Sequence, residues 1–238
     1  MKETRSFLVI SVSLIFGMAS SAFAQGFRIG AEAYKKGDFA TALREFRLLA
    51  EKQSWRGMKA KTFLGFMSLH GHGVSQDHKE AVEWFRLAAK TGHIGAQYQL
   101  GKMYRLGLGV AQNDKTAIKW WKLSAEEGNA DAQFSLGATY QLGQRAPRDY
   151  EEALKWHRLA AEQGNEDAQN SLGTMYGLGH GVIQDNIYAH MWFSLAALSG
   201  HKIAIKNQGL SANQMTTADI SQAENLVREC IRKNYKVC

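Results

Sequence analysis

Proline is almost missing from this 238-residue chain, with Pro147 its only one. A loop-rich β protein places prolines at turns and sheet edges, so their scarcity favours helices. Cysteine is equally sparse: Cys230 and Cys238 stand alone, both near the C-terminal end. Their spacing is too wide for a redox Cys-x-x-C pair, and no further cysteine completes a metal site. No stretch beyond the N-terminus is apolar enough to cross a membrane. Gly-x-Ser-x-Gly, His-Glu-x-x-His, the phosphate-cradling loop and the dinucleotide fingerprint are all missing, so the common routes to catalysis have no foothold.

The N-terminus carries the one strongly apolar run. Lys2 and Arg5 precede Phe7 to Met18, and Ala22-Phe23-Ala24 supplies the small residues a signal peptidase needs. A membrane anchor is the alternative, but about 12 apolar residues fall short of the roughly 20 a helix needs to span a bilayer. Residues 1–24 are therefore expected to be a cleaved signal peptide, and the mature chain an exported protein. No cysteine follows the cut, which argues against a lipid anchor. Export also permits a disulfide between Cys230 and Cys238, a staple between the last helix and the tail, with two free thiols as the alternative.

Removal of Lys2, Glu3 and Arg5 lowers the formal charge from +7 to +6. Basic residues are scattered through every segment, whereas nucleic-acid binders concentrate them on one face. Solvated helix faces explain them better, with weak attraction to acidic envelope components as an addition.

A 36-residue period dominates the rest of the chain. Gly65, Gly101, Gly137 and Gly173 keep it, as do Trp84, Trp120, Trp156 and Trp192. Gly92, Gly128, Gly164 and Gly200 form a third ladder, and Ala60, Ala96, Ala132 and Ala168 a fourth. Each period holds two helices. Ala96, Leu100, Met103 and Tyr104 fall on one face of the first (helix A), which glycine ends. The second (helix B) starts at Asp77, Asn113, Asp149 and Asp185, good N-caps. Asp77 with Glu80, and Asp149 with Glu152, have the spacing of a capping box. Ala81, Trp84 and Ala88 make its apolar stripe. A glycine inside a helix costs about 1 kcal/mol against alanine, so its recurrence in helix A predicts close helix approach, with the Trp of helix B covering the gap. A single hairpin cannot bury both its faces, so neighbours must share a core: the expected fold is an all-α solenoid, a right-handed superhelix of antiparallel helical hairpins.

The string Ala-x-x-x-Leu-Gly-x-x-Tyr-x-x-Gly-x-Gly-Val, followed by Asp, Ala, Trp and Ala-Ala-x-x-Gly, resembles the Sel-one-like repeat, a relative of the tetratricopeptide repeat. The resemblance covers residues 57–200 as four repeats, 57–92, 93–128, 129–164 and 165–200. Upstream, residues 25–56 look like a tetratricopeptide-type hairpin, on Ala33-Tyr34, Gly37-Asp38-Phe39, Ala42, Phe46 and Ala50. Downstream, residues 201–238 are expected to hold capping helices, one with Thr216 as N-cap and Asp219 as its partner. Two departures stand out. Ser68 replaces the usual Tyr, and the third repeat reads Gly143-Gln144-Arg145-Ala146-Pro147, which predicts the least regular loop.

The resemblance implies a scaffold for a protein or peptide partner, without catalysis, cofactor, metal or nucleic acid, and a monomer. By analogy with tetratricopeptide stacks, helix A lines the inner groove. The positions three before, one after and four after its glycine then hold Thr62, Tyr98, Phe134 and Asn170; Phe66, Lys102, Ala138 and Thr174; and Leu69, Arg105, Gln141 and Gly177. Phe66, Tyr98 and Phe134 are candidate apolar anchors beside Lys102 and Arg105, with Gln141, Asn170 and Thr174 as polar contacts, a mix suited to a partner bearing acidic groups. The competing reading has the aromatics simply pack against the next repeat. His70, His72 and His180 lack carboxylate or cysteine partners and are expected to be solvated. Ser199-Gly200-His201-Lys202 and Lys90-Thr91-Gly92 superficially match two serine β-lactamase motifs, but both fall at a helix-B stop. Some disulfide-rich secreted relatives bind or slowly hydrolyse β-lactams; they carry a cysteine pair in every repeat, which this chain lacks. A peptidoglycan-binding module is the other alternative.

Overall fold

A computed structural model describes residues 25–144, 146–236 and 238, so the expected signal peptide lies outside the described residues. Among those described there are helices and turns but no strand. The chain divides into two compact units, the first ending at Asn113 and the second starting at Asp114.

The first unit holds α1 (residues 25–35), α2 (Phe39–Ala50), α3 (Trp55–His70), α4 (His78–Lys90) and α5 (Ile94–Leu106). Its core joins Phe46, Leu64 and Met67, with Phe27, Tyr34, Phe39 and Phe63 packed around them. Asp38 caps α2 by accepting the Thr41 amide at 3.1 Å. Ala33, Ala42, Phe46 and Ala50 are all buried. In this unit α3 and α5 are helix A, and α4 is helix B.

The second unit holds α6 (Asp114–Glu126), α7 (Ala130–Leu142), α8 (Tyr150–Ala161), α9 (Glu166–Leu178), α10 (Asn186–Leu198), α11 (Lys202–Ala212) and α12 (Thr217–Arg232). Helices α7 and α9 are helix A; α6, α8 and α10 are helix B. One of its clusters gathers Leu172, Met191, Trp192, Leu195 and Cys230. The Thr216–Asp219 capping box forms at α12, with both reciprocal bonds made. The Cys230–Cys238 disulfide is closed, its Cα atoms 5.2 Å apart.

Why the glycines sit inside helix A is now clear, and the covering group is not the ladder Trp. A Cβ at Gly65 would lie 2.7 Å from the Phe85 ring, at Gly137 2.6 Å from His157, and at Gly173 2.5 Å from Phe193. Each ring belongs to the residue after the ladder Trp. Adjacent helical residues differ by about 100° in direction, so one Cα step decides which side chain meets the glycine.

The capping boxes expected at Asp77 and Asp149 are only half made. Both aspartates accept helix-B amides, Asp77 from Lys79 and Glu80, Asp149 from Glu152. Their own amides, however, are already donated to helix-A carbonyls, Asp77 to Ser68 and Asp149 to Tyr140. Glu80 is thereby released, and accepts from the Ser68 hydroxyl at 2.9 Å and the Trp84 indole at 3.3 Å. This accounts for Ser68 where other repeats carry Tyr: two of those three tyrosines accept instead from an arginine, Tyr104 from Arg86 and Tyr176 from Arg158.

Candidate functional site

Apart from α3, which Ser54 caps, each helix A has its N-cap directly after a turn glycine. His93, Asn129, Asn165 and His201 cap α5, α7, α9 and α11, each accepting the amide three residues on. The next fixed group is a glutamine. Gln97, Gln133 and Gln169 are buried and donate to the carbonyls of Ala89, Ala125 and Ala161 on the preceding helix B. These side chains tie hairpin to hairpin. They are 36 residues apart and follow the ladder alanine directly, so the signal was in the sequence. It is easily passed over because glutamine reads as a surface residue.

With caps, glutamines and glycines assigned to folding, the remaining helix-A positions form the candidate face. In the first unit, Phe66 is half-buried, edge-on to Phe85 at 5.2 Å and stacked on His70. Lys102 is exposed, its ammonium 5.6 Å from the Tyr98 ring centroid, and Tyr98 and Arg105 are half-buried on the same helix. Thr62 is buried and its hydroxyl meets His93 Nδ1 at 3.1 Å, linking α3 to the start of α5. Burial and nearby Lys59 push the His93 imidazole below its ordinary pKa, which keeps Nδ1 a lone-pair acceptor for its cap.

In the second unit the face is built from α7, α9 and α11. Phe134 is half-buried, 5.6 Å from the His157 ring and packed on the cluster around Leu172. Gln141 Oε1 accepts from His157 Nε2 at 3.0 Å. Burial drives the His157 pKa down to about 4, so the ring is neutral and donates through Nε2. Asn170 Oδ1 accepts from Asn207 at 3.0 Å, tying α9 to α11, and the Thr174 hydroxyl donates to the Asn170 carbonyl. Thr174 also borders a cleft of ≈ 340 Å³ between α9, α10 and α11. Phe193 and Leu210 give it apolar walls; Asn207, Ser211 and Gln214 add amides and a hydroxyl. Gly177 lines it too, and a side chain there would narrow it. The cleft comes from the meeting of three helices, so no single-repeat pattern could announce it.

Of the loop histidines expected to be solvated, His70 is exposed, but His72 and His180 are half-buried against rings. His72 stacks on Phe39 with centroids 4.4 Å apart and bonds the Tyr34 hydroxyl at 3.0 Å. His180 stacks on Tyr150 at 4.3 Å. Both rings rest on the first residue of an earlier helix, Phe39 of α2 and Tyr150 of α8, where a flat side chain covers the helix start. No group of three or more His, Cys, Asp or Glu able to hold a metal is found among the described residues. Ser199 and Thr91, from the β-lactamase-like strings, are C-cap residues of α10 and α4. The irregular loop expected in the third repeat includes Arg145, which lies outside the described residues.

The model of the Sel1 repeat matches the chain four times, over residues 59–93, 94–129, 130–165 and 166–201. Among solved structures, a protective antigen of uropathogenic Escherichia coli with an SLR fold is similar over 93% of this chain and 49% of its own, at 28% identity and a TM-score of 0.79. The chain thus spans about half the length of that protein. A Sel1 repeat protein from Oxalobacter formigenes is 31% identical, over 78% of this chain and 74% of its own, with a TM-score of 0.71. A putative Sel1 repeat protein from Klebsiella pneumoniae shares the fold at 17% identity, over 80% of this chain and 93% of its own, with a TM-score of 0.51. Among curated proteins, none matches.

Proposed function

The chain belongs to the Sel1 repeat family, and we propose that it is an exported scaffold that holds a protein or peptide partner against its helix-A faces, without catalysing a reaction. Sel1 repeats suit protein–protein interaction, because stacked hairpins offer side chains from successive copies along one face. One observation carries the reading. Positions identical between repeats are consumed by capping, inter-hairpin bonding and glycine–ring contacts, so only the varying helix-A positions are left to choose a partner.

Within the first unit, Lys102 and Arg105 beside Tyr98 favour a segment with a carboxylate. Within the second, the cleft bordered by Thr174 fits one apolar side chain, with Asn207 and Gln214 placed to bond the backbone around it. The uncharged lining matches a peptide better than an anion there. Periplasmic or secreted placement is supported by the N-terminal pattern, by the Cys230–Cys238 disulfide and by the E. coli antigen among the similar structures.

The test is photo-crosslinking in cells, with a photoreactive amino acid at Lys102, at Thr174, or at Lys115 on helix B as a control. The expected outcome is one discrete crosslinked protein from the helix-A positions and none from Lys115. Equal labelling from all three positions, or from none, would refute the scaffold reading.

A further inference from the structure

Helix α11 is a fifth helix A, and among the described residues no helix B packs on it. Ala204 and Gly209 extend the alanine and glycine ladders by one more period of 36. Ala204 is fully buried, and His201 caps the helix in the place Asn165 holds one repeat earlier. The chain then departs from the pattern. α12 lies against α10, bringing Leu226, Val227 and Cys230 onto Met191, Trp192 and Leu195. Among the described residues, none takes the helix-B place on α11. A Cβ at Gly209 meets no atom within 4 Å among the described residues, whereas at Gly137 and Gly173 it runs into the rings of His157 and Phe193.

The exposed face of α11 carries Lys202, Ile205, Lys206 and Gly209, at the i, i+3, i+4, i+7 spacing of one helical stripe. Ile205 is 51% exposed, and beside it lies a cleft of ≈ 380 Å³ with Ala197, Leu198 and Val227 as apolar walls and Gln208, Glu224 and Arg228 as polar ones. From Asn186 to Ala218 the sequence has no Asp or Glu, so the α11 stripe itself carries only positive charge, while Glu224 in the adjoining cleft lies 3.9 Å from Arg228.

We propose that α11 is the docking site for an amphipathic helix of another protein, one that sets an aromatic ring over Gly209 and places carboxylates against Lys202 and Lys206. The interface would continue the glycine–ring packing already made at Gly137 and Gly173, one period further along. A second copy of this chain is the poorer occupant. The rings of α8 and α10 are committed to their own glycines, and two chains of net positive charge would meet basic face to basic surface.

The probe is a fluorescein-labelled, stapled peptide of residues 149–164 carrying His157→Phe, an acidic helix-B sequence with a ring at the required position. Anisotropy titration against the full chain is expected to show saturable binding. Gly209→Leu fills the place of the ring and should weaken binding at least tenfold; Lys202→Glu with Lys206→Glu should weaken it several-fold. Position 209 faces open space, so the leucine variant should fold, as a thermal melt will verify. Absence of saturable binding, or unchanged affinity of Gly209→Leu, overturns the proposal. So does a concentration-dependent dimer in analytical ultracentrifugation that Gly209→Leu abolishes, since that assigns the face to a second copy.

Discussion

His157 occupies the place that Phe85 and Phe193 hold in other repeats, with its ring pressed on a glycine and Nε2 bonded to Gln141. Burial lowers its pKa to about 4, against about 6.5 in the unfolded chain. Between these values the unfolded state binds more protons than the folded one, so stability falls as pH drops from about 6.5 to 4 and is fully present above that window. The contribution at stake is about 3 kcal/mol at most. His157→Phe keeps a ring over Gly137 and should flatten this dependence, while changing stability little at pH 7.5. Urea midpoints at pH 7.5, 6.0 and 4.5 check it; an unchanged slope in the variant would assign the pH dependence to other groups. The sequence shows that a histidine replaces a phenylalanine here, but not that its ring is buried. That required knowing which helix-B residue faces the glycine, and the more prominent Trp ladder points one position away.

Among whole helices, the glycine ladder separates two environments that the sequence treats alike. Gly173→Ala would set a Cβ 2.5 Å from the Phe193 ring carbon, while Gly209→Ala sets one in open space. Overpacking costs about 1–3 kcal/mol, whereas alanine for glycine in a free helix gains about 1 kcal/mol. Gly173→Ala is therefore expected to lower the melting temperature and Gly209→Ala to raise it. Equal shifts in calorimetry would mean that α11 is already covered. At this scale the sequence was most legible: helix starts at Asp77, Asp149 and Asp185 and the Thr216–Asp219 box are local hydrogen-bond patterns, readable within four residues. The amides of Asp77 and Asp149 escaped, because their acceptors, Ser68 and Tyr140, lie nine residues back across a loop. The cleft beside Thr174 escaped for the same reason at longer range, since α11 reaches it only after a full turn of the repeat.

For the molecule as a whole, the period makes stability close to a sum over neighbouring hairpins, so a perturbation at one end should stay local. The Cys230–Cys238 bond is the place to test this. It ties the tail to α12, whose Cys230 is buried beside Trp192 and Leu195 at the end of the second unit. Closing so short a loop stabilises by about 2–3 kcal/mol on the chain-entropy model. Reduction, or Cys238→Ser, should therefore speed amide exchange in α12 and then in α10, against which it packs, while α2 to α4 in the first unit keep their protection. Hydrogen exchange read by mass spectrometry gives the profile directly. If protection in α2 to α4 falls in step with α12, the chain unfolds as one cooperative body and the neighbour-sum description is wrong. If only α12 and α10 open, the disulfide acts as a clasp on the final cap, and the helix-A faces nearer the N-terminus would hold their shape in reducing conditions.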